Sequence, residues 1–130
     1  MTITYKDLEI REAIEQDADQ LLRWWNDGSV MEHAGFPLGL QTTVEDIVQQ
    51  LRQQTNHHQV LIITYQGTSI GEMNYAMNEH MASIGIKICD TSLQNKGLGK
   101  TVLSRVIEVL FSEMSCTRIE VDTNLNNVRA

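Results

Sequence analysis

Between residues 94 and 100 the chain reads Gln94-Asn95-Lys96-Gly97-Leu98-Gly99-Lys100, two glycines one residue apart, flanked by lysines and followed by an amphipathic stretch. These residue types suit anion binding. The start of a helix carries N–H groups with no intrahelical acceptor and a partial positive charge, so it attracts phosphate. Gly97 and Gly99 would let the main chain bend tightly and approach an anion with no Cβ in the way. Lys96 and Lys100 add full positive charge to an otherwise acidic chain. A Gly-x-Gly turn by itself is equally compatible with a plain strand-to-helix connection. Gln94 to Thr101 also departs from the phosphate loop G-x-x-x-x-G-K-[ST] only at its first position, where Gln94 replaces glycine. A nucleotide-binding P-loop protein is therefore one alternative, although only one helix and one strand would follow the loop.

Other residues capable of chemistry read more simply. Cys89 and Cys116 are too few and too far apart for a disulfide framework or a clustered zinc site, and their apolar neighbours suggest buried, reduced thiols in a cytoplasmic protein. His57, His58 and His80 have no accepted metal spacing, so no metal is expected. Glu32 and His33 could meet a cationic partner or belong to a solvated loop. Trp24 and Trp25 are adjacent in a helix and cannot both point inward, so one lines a cleft or covers an edge.

The elements that must position these residues follow from periodicity. Leu8 to Ala13 predicts a first strand, and Ala18, Leu21, Leu22 and Trp25 lie at helical spacing over Gln16 to Asn26. Gly35 to Gly39 holds the only proline and reads as a loop. Thr42 and Glu45 form a capping-box pattern ahead of a second helix with an apolar stripe of Val44, Ile47, Val48 and Leu51. Strands are expected over Val60 to Tyr65, Ile70 to Met77 and Ser83 to Cys89. A third helix spans Lys100 to Met114, with Leu103, Val106, Ile107 and Leu110 on one side, and Arg118 to Thr123 forms a last strand. The order β-α-α-β-β-β-α-β is a mixed α/β (α+β) fold, a mostly antiparallel sheet flanked by helices and closed by a β-α-β crossover.

With 130 residues, one domain is expected. The longest aliphatic run, Val60 to Ile63, is far too short to span a bilayer, and the N-terminus lacks a signal-like apolar stretch. A net charge of −7 argues against nucleic acid as a partner, since phosphate contacts need a basic face. It would suit a cationic acceptor such as an amine, and solubility alone explains it equally well.

In Gln94, Gly97 and Gly99 the chain resembles the GNAT superfamily of N-acetyltransferases, whose diphosphate-binding signature is [QR]-x-x-G-x-[GA]. Ile86-Lys87-Ile88-Cys89 is similar to the family strand that parts from its neighbour to admit pantetheine, and Asn124-Leu125-Asn126-Asn127-Val128-Arg129-Ala130 is similar to its Asn-x-x-Ala helix start. Arg23-Trp24-Trp25-Asn26-Asp27 resembles the branch of ribosomal-protein and aminoglycoside acetyltransferases. The resemblance covers essentially the whole chain. It implies acetyl transfer from acetyl-coenzyme A to a primary amine on a small molecule or protein. The main chain from Gln94, Asn95, Lys96, Gly97, Leu98 and Gly99 to Lys100 would hold the diphosphate. Lys87, Ile88 and Cys89 would meet pantetheine, and Asn127 would contact the cofactor.

Some members of the family place a carboxylate where this chain has Gly85, so Glu72 on the neighbouring strand is the substitute candidate for a general base. The hairpin register Met77/Ala82 would set Glu72 opposite Lys87, which makes a cross-strand ion pair the competing reading. The family pattern continues past Ala130 with the rest of a helix, carrying a tyrosine thought to protonate the leaving thiolate, and two strands. The expectation is therefore a single acetyltransferase domain over 1–130, incomplete at its C-terminus, that self-associates as a homo-oligomer or acetylates poorly. A non-catalytic acyl-coenzyme A-binding module is the other alternative.

Overall fold

A computed structural model describes residues 1–32, 35–93 and 96–121. Six strands lie in chain order in one sheet: β1 (Thr2–Tyr5), β2 (Leu8–Glu12), β3 (His58–Tyr65), β4 (Thr68–Asn78), β5 (Met81–Ile88) and β6 (Arg118–Val121). Neighbours are antiparallel up to β5, while β5 and β6 are parallel and joined through α4 (Leu98–Glu113). The helices α1 (Ala18–Trp25), α2 (Gly28–Met31) and α3 (Val44–Arg52) lie between β2 and β3. The mixed, mostly antiparallel α+β sheet expected from the sequence is the fold observed.

The continuous apolar run in β3 is explained by burial on both faces. Leu61 and Ile63 join the core with Val102, Val106 and Leu110 of α4. Val60 and Ile62 join a second core with Leu21, Trp25, Ile47 and Leu51 of α1 and α3. Alternation along a strand sends successive side chains to opposite faces, so one strand serves both layers.

Four local expectations change. Thr2–Tyr5 adds an edge strand that pairs Thr2↔Arg11 to Tyr5↔Leu8, with Lys6 at φ 53 turning the hairpin. The break at Asn26-Asp27-Gly28 restarts at once as α2, because the Asp27 side chain accepts from Ser29 N. The cap of α3 is Thr43, whose hydroxyl accepts from Asp46 N, and Thr42 instead pairs its backbone with the Asn26 side chain. In α4 the fully buried positions are Val102, Val106 and Leu110, with Leu103 and Ile107 only partly covered, so the helix is rotated slightly from the expected face.

Candidate active site

The end of β5 is tied to β4. Both Cys89 N–H and Asp90 N–H donate to the Ile70 carbonyl, at 2.7 and 3.0 Å. Backbone groups alternate sides along a strand, so Lys87 and Cys89 turn theirs toward β4, whereas Ile86 and Ile88 turn theirs toward the β6 side. Among the described residues the β5–β6 pairing runs from Met81↔Arg118 to Ile84↔Val121, and β5 continues four residues beyond it to Ile88.

A 3-10 turn over Thr91–Leu93 follows, and α4 then opens on Gly97. Gly97 is left-handed (φ 78, ψ 4) and, as the N-cap, offers no side chain to cap the helix. A β-carbon there would meet nothing within 4 Å, so the space above the turn is open and the glycine serves its backbone angle. The Gly97 carbonyl accepts from Thr101 N–H and from the Thr101 hydroxyl, each at 3.1 Å. By helix geometry the N–H groups of Leu98, Gly99 and Lys100 have no intrahelical acceptor. Lys96 and Lys100 are exposed beside them, and Gly99 is buried. Gln94, Asn95, His33 and Asn127 lie outside the described residues.

On the opposite side of β5 the chemistry gathers around Glu72, which is wholly buried. Register sets Glu72 against Lys87, as the Met77↔Ala82 hairpin implies, and Lys87 Nζ donates to Glu72 Oε1 at 2.8 Å. Trp25 Nε1–H donates to the same oxygen at 3.2 Å. Glu72 Oε2 has no hydrogen-bond partner among the described residues. Gly85 lies on the same face, and a β-carbon there would come within 3.2 Å of the Asn74 side-chain amide, so Asn74 occupies the room above it. Of the adjacent tryptophans, Trp25 is buried and Trp24 packs half-buried on the same core. The sequence set one of the two tryptophans at a cleft or an edge without linking it to Glu72, and it did not single out Asn74. Alternation along β4 pointed to Asn74, but nothing local linked Trp25 to a carboxylate 47 residues away.

Cys89 and Cys116 are both buried free thiols. Burial pushes the Cys89 thiol up, and the charge of Glu72 pushes it the same way. A neutral, enclosed thiol is a poor nucleophile. In the native protein neither cysteine should react with an aromatic disulfide reagent on a timescale of seconds, and both should react at once in denaturant; a fast native phase at Cys89 would contradict this burial. Among the described residues no group of three or more His, Cys, Asp or Glu is placed to hold a metal, and no helix is long and apolar enough to cross a membrane.

A mostly antiparallel sheet closed by the β5–α4–β6 crossover, with α4 opening on left-handed Gly97, frames this site. The acetyltransferase (GNAT) domain model matches residues 7–130, and the chain belongs to that family. Similar solved structures include a GNAT-family acetyltransferase from Streptococcus pneumoniae, at 23% identity and TM-score 0.75, covering 92% of this chain and 77% of that one. The aminoglycoside acetyltransferase AAC(6')-Ib in complex with coenzyme A is similar at 22% identity and TM-score 0.75, with 94% and 78% covered. An aminoglycoside acetyltransferase from an uncultured soil metagenomic sample, in complex with sisomicin, is similar at 18% identity and TM-score 0.66, with 92% and 80% covered. Among curated protein sequences none matches. The family match removes the P-loop alternative, in keeping with a sheet in which, among the described residues, only β5 and β6 are parallel.

Proposed function

We propose that this chain moves an acetyl group from acetyl-coenzyme A to a primary amine. The observation that carries the reading is the start of α4 at left-handed Gly97, with open space above the turn and Lys96 and Lys100 exposed beside it. The N–H groups of Leu98, Gly99 and Lys100, which have no intrahelical acceptor, with Lys96 and Lys100 beside them, would hold the diphosphate, and Gln94, Asn95 and Asn127 are assigned to the same cofactor. Pantetheine would pair along the end of β5, where alternation turns the backbone groups of Ile86 and Ile88 away from β4. Lys87 and Cys89 would line that strand end without presenting their own N–H groups to it. The buried free thiols fit a reducing, cytoplasmic setting.

In the reaction the amine nitrogen bonds to the acetyl carbon, the C–S bond breaks, and coenzyme A leaves as a thiolate. An alkylammonium has a pKa of about 10 and must lose a proton first. Glu72 is the candidate base, acting through Lys87 or a water at Oε2. Most of the acceleration would come from holding the two reactants together. One observation favours the alternative of a non-catalytic acyl-coenzyme A-binding module: Glu72 is enclosed and ion-paired, and Gly85 supplies no carboxylate. Calorimetry with acetyl-coenzyme A and a free-thiol assay across an amine panel decide between them. The expected result is saturable binding with amine-dependent thiol release. Binding without release establishes the module, and no binding rejects both readings.

A further inference from the structure

We propose that Glu72 and the loop Phe36-Pro37-Leu38-Gly39-Leu40 form an acceptor subsite built for a primary amine carried on an apolar group; this deepens, and rests on, the acetyl-transfer reading. The loop shows solvent an unusual face. Phe36, Leu38 and Leu40 are 45%, 76% and 36% exposed, three large apolar side chains within five residues. It is also held firmly. Leu40 N–H donates to the Trp25 carbonyl at 2.7 Å, and Phe36 N–H donates to the Met31 carbonyl at 3.0 Å. The Asn26 side chain accepts from Thr42 N–H at 2.8 Å and donates to the Thr42 carbonyl at 3.0 Å. Gly39 adopts φ +77 with the Asn26 carbonyl oxygen only 2.4 Å from where a β-carbon would sit, so the loop lies directly against the end of α1. A fixed backbone that presents apolar side chains to water is the pattern of a contact surface for an apolar ligand.

The polar end of that ligand is set by the residue that anchors the loop. Trp25 receives Leu40 through its carbonyl and reaches Glu72 through its indole N–H. Glu72 in turn holds Lys87 of β5, so the base of the loop, Glu72 and the end of β5 are linked through these contacts. Glu72 Oε1 serves two donors, whereas among the described residues the equally buried Oε2 serves none. An enclosed carboxylate oxygen without a donor is costly, and an amine N–H supplies what it lacks. Lys87 is the resident cation here, with its side chain 21% exposed. An incoming ammonium can replace it charge for charge, so the buried carboxylate is never left unpaired. Lys87 thus marks the place where a substrate ammonium sits, and the apolar loop meets what the amine is attached to. A hydroxylated amine of the same charge gains nothing from Phe36 and Leu38.

The test uses the full chain carrying Trp24→Phe, so that emission reports on Trp25 alone. It is titrated without thioester with 2-phenylethylamine and with ethanolamine, and both amines are then run in the thiol-release assay. Calorimetry with coenzyme A is done on the same sample. Phenylethylamine should bind at least about tenfold more tightly than ethanolamine and be preferred in kcat/KM by a similar factor, and Leu38→Asn should reduce that ratio about tenfold. Equal affinities, a preference for ethanolamine, or a Leu38→Asn effect confined to dissociating a dimer in sedimentation would each overturn the subsite. Coenzyme A binding without amine preference overturns this inference and leaves acetyl transfer standing. Amine preference without coenzyme A binding overturns the acceptor role together with acetyl transfer.

Discussion

Gly97→Asp should bind coenzyme A about a hundredfold more weakly than the parent chain, a loss of about 2.7 kcal/mol, while melting within a few degrees of it. The two readings of the turn before α4 part here. If it is only a connection, aspartate is a welcome residue at a helix N-cap, where a side-chain oxygen satisfies first-turn N–H groups and complements the helix dipole. If it is a diphosphate cradle, the same carboxylate occupies those N–H groups and repels the anion they were left open for. One unit charge opposing another at about 4–6 Å is worth roughly 3–4 kcal/mol at an effective dielectric near 20, enough for the loss expected. The left-handed backbone at φ 78 costs any side chain something, least for Asn and Asp. Gly97→Asn therefore serves as the neutral control, with the same strain and no added charge. A β-carbon finds nothing within 4 Å, so no steric term confuses the comparison. Equal coenzyme A affinity in the parent and the aspartate variant would return the turn to a plain connection.

Much of this fold was legible because it rests on local pattern. The register of β4 and β5 could be read from a two-residue hairpin, and it placed Glu72 opposite Lys87 before any coordinates did. What sequence could not supply was distance across the chain. Trp25 and Glu72 meet only because α1 packs over the face of β4 opposite α4, a tertiary fact with no trace in either segment. The same holds for β1, whose four alternating residues are too few to stand out until β2 provides an edge to pair with. The cap of α3 slipped by one residue because Thr42 and Thr43 offer the same chemistry, and the choice was made by Asn26, sixteen residues earlier, which claims the backbone of Thr42. Family resemblance, in turn, pointed to the strand end at Lys87 to Cys89 but not to the side each backbone group faces. That follows from the Cys89 N–H bond to Ile70 and the alternation it fixes.

Lys87→Met should destabilise the chain by about 3–5 kcal/mol in denaturant unfolding, because it strands a fully buried carboxylate without its cation. Removing both charges with Glu72→Leu and Lys87→Met should recover part of that loss. A deficit of about 1–3 kcal/mol should remain, since the Trp25 indole N–H then has no acceptor. The double-mutant cycle measures the coupling directly, and additive losses would mean that the 2.8 Å contact contributes nothing of its own. The same variant separates the two roles open to Glu72. Were the ion pair purely architectural, the double variant, refolded and binding coenzyme A, would transfer acetyl groups at close to the parent rate. If Glu72 takes the proton from the acceptor, kcat should fall by about 10²–10⁴ in a protein whose stability has been largely restored, a loss that no folding argument can absorb. The unpaired Oε2 is the physical reason to expect the second outcome: a carboxylate kept only for its partner across the strand would have no cause to leave one oxygen enclosed and unused.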